Sequence, residues 1–241
     1  IWLGGKDIAN KPPAFSIQQG LAHIPEDRIG VGTAPNLSIT SNIIMKRYDQ
    51  EPVSQKWQLD YVAADDVASG LKTEYDIQAP NVHTQARKLS GGNLQKLILA
   101  RELSSLPHLI VAMQPTRGLD VGAIEGVQQL LLNQRSQGCA ILLVSEDLDE
   151  LLSLSDRIAV MYEGEVAGVI CSEDFDITQI GLMMTGTTSQ DLQTQKEKPS
   201  ASNFDKVLKN LHQAEEPAQA GTTATPELPF ESKTQADELP Q

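Results

Sequence analysis

Leu89-Ser90-Gly91-Gly92-Asn93-Leu94-Gln95-Lys96 is the stretch whose reading decides the fold. A serine followed by two glycines at a helix start leaves backbone N–H groups uncovered at the positive end of the helix dipole. Glycine has no Cβ to hold a phosphate away. Ser-Gly-Gly by itself would also serve as an ordinary N-cap. The longer run, Leu89 to Lys96 followed by Ala100-Arg101, is far more specific and predicts a phosphate-facing loop that opens a helix. The apolar face of that helix uses Leu94, Leu97, Ile98 and Leu103, close to a 3.6-residue period.

Downstream, Leu109-Ile110-Val111-Ala112-Met113 is a continuous apolar run of strand length, as expected of a buried parallel strand. Asp120 is placed to cap a helix that runs to Gln137, with Gly138 at its end. Ala140–Val144 predicts a second buried strand, and a helix follows around Leu148–Leu154. Glu163-Gly164 sits between Ile158–Tyr162 and Glu165–Ile170, the signal for a hairpin. Upstream, Leu21-Ala22-His23-Ile24 reads as a short strand stopped by Pro25, and Ser38 as the cap of a helix over Ile39–Met45. The polar stretch from Tyr48 to Lys88 predicts helices near Val53–Tyr61 and Ala64–Tyr75 rather than sheet. Strand–helix alternation of this kind implies an α/β fold with a parallel sheet and an edge hairpin.

With 241 residues the chain can bury a sizeable core, and its net charge of −13 argues against a nucleic-acid binder that relies on a broad basic face. Cys139 and Cys171 have no metal-ligand or disulfide spacing, and His23, His83, His108 and His212 form no visible triad. No apolar run approaches the roughly 20 residues that span a bilayer. Residues 189–241 are rich in Gln, Thr, Pro, Glu and Ala and predict a disordered tail, with Phe204, Val207, Leu208 and Leu211 at helical spacing inside it.

Taken together, Ile24-Pro25-Glu26-Asp27-Arg28, Leu89 to Lys96, Gln114 to Ala123 and Val144 to Glu150 resemble the nucleotide-binding domain of ABC transporters. They resemble more narrowly the second cassette of the two-cassette ATPases of bacterial simple-sugar and nucleoside importers. The resemblance implies a P-loop NTPase-type fold over residues 1–188, with a helical subdomain at about 34–88 that meets transmembrane permease subunits. It implies ATP with Mg2+ as cofactors, a second cassette fused upstream as partner, no nucleic acid, and a place at the cytoplasmic face of the membrane. Ser90, Gly91, Gly92, Asn93 and Gln95 match the signature, which in the family contacts ATP held by the opposite cassette. Asp120 lies in the loop that crosses the dimer axis. Glu26 falls where many cassettes carry a glutamine that links nucleotide to the membrane partner.

The departures from the family pattern carry equal weight. An active cassette ends the strand before Pro115 in Asp-Glu, for Mg2+ and for the attacking water; here those places hold Met113 and Gln114. A thioether suits Mg2+ poorly, and a neutral amide takes no proton. Glu146 stands where the family has a histidine that touches the γ-phosphate. These residues imply that the cassette's own hydrolytic site is weak or dead, and no metal ligand set is expected on it. Glu125, Asp147, Asp149 and Glu150 read as solvated faces. The phosphate loop G-x-x-x-x-G-K-[ST] is not found, and Gly4-Gly5-Lys6 shares only its composition. The expectation is a chain cut from something longer, which by itself would not bind ATP tightly. Two further readings stay open: a soluble ABC ATPase of the DNA-repair or translation type, and an interaction module without nucleotide chemistry.

Overall fold

The computed structural model describes residues 1–55 and 58–187. In chain order the elements are β1 (Trp2–Leu3), β2 (Lys6–Asp7), α1 (Pro13–Gln18), β3 (Leu21–Ile24), α2 (Ile39–Ile44), β4 (Ser54–Gln55) and β5 (Gln58–Leu59). There follow α3 (Tyr61–Glu74), α4 (Gly91–Leu103), β6 (Leu109–Met113), α5 (Val121–Ser136), β7 (Ala140–Val144), α6 (Leu148–Leu154), β8 (Arg157–Tyr162), β9 (Glu165–Cys171) and α7 (Ile177–Met184).

The three apolar runs pair as a parallel sheet in the order β3-β6-β7, with Leu21 opposite Leu109 and Leu109 opposite Ala140. Parallel strands need long crossovers, and the helices supply them. Ile24, Ile110 and Ala112 are fully enclosed, and α4 lays Leu94, Leu97, Ile98 and Leu103 into the same core. Each fully buried Leu or Ile side chain contributes about 1.5–3 kcal/mol by removal from water. The core continues through Ile39 and Ile43 of α2 to Ala64, Ala68 and Leu71 of α3, so the segment inserted between β3 and α4 shares it.

Caps set the helix starts. The side chains of Ser38, Asp60, Ser90, Asp120 and Asp147 each accept a backbone N–H from the first turn of α2, α3, α4, α5 and α6 respectively. Gly138 ends α5 at φ +91°, a conformation that suits glycine.

Three sequence expectations need correction. Val53–Tyr61 is not a helix: β4 and β5 pair antiparallel, Val53 is buried, and Asp60 N–H donates to the Val53 carbonyl at 2.9 Å. Asp60 is the cap of α3 and cannot also lie inside a helix that runs through it. β7 takes its expected place beside β6 but is not a buried strand, because Leu142 is 56% and Val144 44% exposed. Among the described residues it pairs with β6 alone, and a strand at a sheet edge covers less of its surface. Glu150 is not solvated either; it is 3% exposed and accepts the hydroxyl of Thr116 at 2.9 Å. α6 turns that side chain onto the loop leaving β6 instead of toward water.

The hairpin read at Glu163-Gly164 is present as β8–β9, a two-stranded antiparallel sheet with its own hydrogen bonding. Ile1–Lys6 forms the start of a tighter hairpin, β1–β2, whose turn uses Gly4 and Gly5 at positive φ. The tail expected at residues 189–241, including Phe204–Leu211, lies outside the described residues. Among the described residues no helix is long and apolar enough to cross a membrane.

Candidate functional site

The first turn of α4 is built from its own sequence. Ser90 Oγ accepts the Asn93 N–H at 3.4 Å and the Asn93 Nδ2 at 2.9 Å, while the Ser90 carbonyl accepts the Leu94 N–H at 2.8 Å. The N–H groups of Gly91 and Gly92 precede the first internal acceptor and point along the helix dipole. Among the described residues, a Cβ added to Gly91 would meet nothing within 4 Å, and one on Gly92 would meet only the Ala123 Cβ at 3.7 Å. The approach to these amides is therefore open.

Behind the turn, Asn93 Oδ1 accepts the Gln78 N–H at 2.8 Å, and Lys96 donates to the Asp76 carbonyl at 3.0 Å and to its carboxylate at 2.7 Å. These contacts dock the start of α4 on the end of α3. The hydrogen bond and charge of Lys96 hold the Asp76 carboxyl below the usual carboxylate range. Asp120 caps α5 by accepting the Ala123 N–H at 2.9 Å. Ser90, Gly92, Asn93 and Asp120 thus line one cavity of about 500 Å³, together with Lys96 and the end of α3.

A second group of sequence-predicted residues meets on the other side of α4. Gln95 is 1% exposed, and its side-chain oxygen accepts from Arg28 Nε at 2.7 Å. Arg28 Nη2 donates to the Arg117 carbonyl at 2.5 Å, and the Arg117 guanidinium pairs with Glu26. The carboxylate of Glu26 is therefore occupied by a cation, and Gln95 lies beneath Arg28. Sequence reasoning gave neither arginine a role. Each lies inside a family-like motif, Arg28 at the end of Ile24–Arg28 and Arg117 within Gln114–Ala123, and that position is the signal the sequence offers.

Gln114 and Glu146 sit at adjacent strand ends. Met113 is opposite Val144, and the Gln114 N–H donates to the Val144 carbonyl at 2.8 Å. Gln114 has φ +47°, unusual for a residue with a side chain, and Glu146 is exposed two residues beyond Val144.

These residues fit the groups implied by the family unequally. Open first-turn amides and unobstructed glycines suit a phosphate of ATP. The strand end offers Mg2+ a thioether and an amide, and no group of three His, Cys, Asp or Glu among the described residues could hold a metal ion. Mg2+ does not fit this chain's own strand end.

No family model matches the chain. Similarity to individual proteins is strong. The chain is 47% identical over 188 residues to a glucose import ATP-binding protein of Haloferax volcanii, covering 77% of this chain and 34% of that protein. It is 42% identical over 191 residues to a guanosine import ATP-binding protein of Bacillus subtilis, covering 79% of this chain and 38% of the relative. The chain thus spans just over a third of the length of the curated relatives it matches. Among solved structures, the dimeric post-hydrolysis state of an ATP-binding cassette bound to ADP and Pi superposes with a TM-score of 0.59 at 19% identity. That match covers 72% of this chain and 73% of the other and speaks for the fold alone. With the parallel sheet, the capped signature helix and these relatives in place, the chain belongs to the ATP-binding cassettes of the ABC transporter family.

Proposed function

We propose that the chain is an ATP-binding part of an ABC importer for nucleosides or simple sugars, and that its signature completes the ATP site of a partner cassette. The observation that carries this reading is the first turn of α4, where Gly91 and Gly92 are unobstructed among the described residues and Ser90 and Gly92 line one cavity with Asp120. Relatives whose names specify glucose and guanosine import support the substrate class. ATP bridging two cassettes favours the closed dimer, because the phosphate contacts exist only when both halves meet.

The same reading makes the site owned by this cassette a poor catalyst. Met113 and Gln114 give neither the carboxylate ligand nor the carboxylate base, and Glu146 would face phosphate with like charge. Hydrolysis then belongs to the site that this chain completes but does not own. Residues 1–188 act as the nucleotide-binding domain, with about 34–88 as its helical subdomain. Permease subunits would dock on that helical subdomain, where Leu37 is exposed, and beside it on the loop that follows Glu26, where Ile29 and Val31 are exposed. Such docking would hold the chain peripherally at the cytoplasmic face of the membrane.

The test is ATPase activity of the full-length assembled transporter after Ser90→Arg and after Gln114→Ala. Near-complete loss in the first and a modest change in the second are expected, and equal losses would refute the asymmetry between the sites. ATP-driven uptake of a nucleoside against a simple sugar, in vesicles that contain the assembled transporter, fixes the substrate class.

A further inference from the structure

One guanidinium joins segments that lie far apart in the chain. Arg28 presents the edge made of Nε and Nη2, giving one donor to Gln95 of α4 at 2.7 Å and the other to the Arg117 carbonyl at 2.5 Å. A planar fork with fixed donors can hold two acceptors at once, and a lysine ammonium on its flexible stem cannot reproduce that geometry. Because Nε–H requires an acceptor, the amide of Gln95 must turn its oxygen to Arg28. Its Nε2 is then left buried without a hydrogen-bond partner among the described residues, so the orientation of Gln95 is set by Arg28.

The loop that carries Arg28 is itself tied together by hydrogen bonds. Asp27 Oδ1 accepts the N–H groups of Ile29 and Gly30, the Gly32 N–H donates to the Asp27 carbonyl at 2.8 Å, and Thr33 Oγ1 donates to the Arg28 carbonyl at 2.9 Å. Gly32 lies so close to α4 that a Cβ there would stand 2.7 Å from Ile98 Cδ1. The return connection runs the other way: the Arg117 side chain reaches back to Glu26. The loop after β3 and the loop after β6 are thus cross-braced, and both are tied to the signature helix through Gln95.

We propose that Arg28 is a positioning residue that makes the loop 26–33, the start of α4 and the loop leading to Asp120 move as one body. A push on the exposed Ile29 and Val31 then displaces Ser90 and Asp120 together. The consequence for ATP turnover rests on the function proposed above; the mechanical claim does not.

Hydrogen exchange on the full chain tests the mechanical claim. In Arg28→Ala, the amides of Asn93 and Leu94 and those of Leu119 and Ala123 should exchange at least tenfold faster, while amides of β8 and β9 keep their rates. Arg28→Lys, able to reach a single acceptor, should restore protection at one set and not the other. Arg135→Ala, which removes the exposed pair with Asp156, should leave both sets unchanged. Acceleration at one set only or at neither in Arg28→Ala overturns the proposal, as does uniform acceleration that includes β8 and β9. In the assembled transporter, Arg28→Ala should lower kcat at least tenfold with KM for ATP within about twofold, and Arg28→Lys should recover part of the loss. If exchange changes as expected but ATPase does not, the functional reading fails and the brace stands.

Discussion

Arg117 pairs with Glu26 across 91 residues of sequence, joining the loop that leaves β3 to the loop that leaves β6. Each loop follows the carboxyl end of a parallel strand, where open α/β sheets gather their functional residues. The pair therefore sits among the residues that the family motifs identify, and its two members come from different motifs.

Its contribution to stability should be small. Both side chains are about half exposed, and an ion pair of this kind contributes roughly 0.2–1 kcal/mol. A double-mutant cycle of Glu26→Gln and Arg117→Met, followed by urea unfolding, should return a coupling below about 1 kcal/mol that shrinks at high salt. A larger, salt-insensitive coupling would show that the pair is shielded from water.

Glu102 is the opposite case. It is 1% exposed and meets Lys46, Arg101 and the backbone N–H of His23. Removing one member of a buried ionic cluster leaves uncompensated charge and costs about 3–5 kcal/mol. Glu102→Gln should lower the denaturation midpoint far more than Lys46→Met, since Lys46 is partly exposed and Arg101 would still pair with the carboxylate. Equal effects would contradict the assignment of Glu102 as the hub.

Gly32 is needed for space, not for an unusual backbone angle. A Cβ there would lie 2.7 Å from Ile98 Cδ1, 2.9 Å from the Arg28 carbonyl and 3.0 Å from the Arg28 Cα. Overpacking of this kind costs about 1–3 kcal/mol, and Gly32→Ala should fall in that range by thermal or chemical unfolding. Adding Ile98→Val removes the first clash alone, so rescue should be partial because the two backbone contacts remain.

Tyr75 predicts a stability loss in alkali. Burial is the main cause that pushes its hydroxyl up to about 12, with Glu74 adding to the shift and Arg47 opposing it. The folded state thus holds the phenol proton more tightly than the unfolded chain, whose tyrosine titrates near 10. Stability from this group is complete below pH about 10 and is lost as pH rises through about 12. Tyr75→Phe should flatten that part of the stability profile, and the phenolate absorbance of the folded chain should show one tyrosine titrating late.

Much of the site was legible because it is local. Ser90 caps α4 through a residue three positions on, Asp120 caps α5 in the same way, and the apolar spacing of Leu94, Leu97 and Ile98 needs nothing outside the helix. The order of strands and helices followed from runs such as Leu109–Met113 for the same reason. Where the local signal was weak, the reading failed: Val53–Tyr61 holds a hairpin of two-residue strands whose pairing depends on where Val53 is buried. Glu150 reads as solvated in the sequence because it stands in an acidic run with Asp147 and Asp149, and only packing of α6 against Thr116 decides otherwise.

The sequence by itself determined the family resemblance, the alternation of elements, the helix caps and the substitutions at Met113, Gln114 and Glu146. These depend on residue type and on spacings of a few positions, which act through short-range hydrogen bonds and side-chain periodicity. The tertiary structure decided that Arg28 holds Gln95 and the Arg117 carbonyl, that Arg117 turns to Glu26, and that β7 exposes Leu142 and Val144. Those contacts span 67, 89 and 91 residues, or reflect which strand edge is covered, and no local propensity encodes them. They form only when the core has closed and brought the loops after β3 and β6 to the same side of α4.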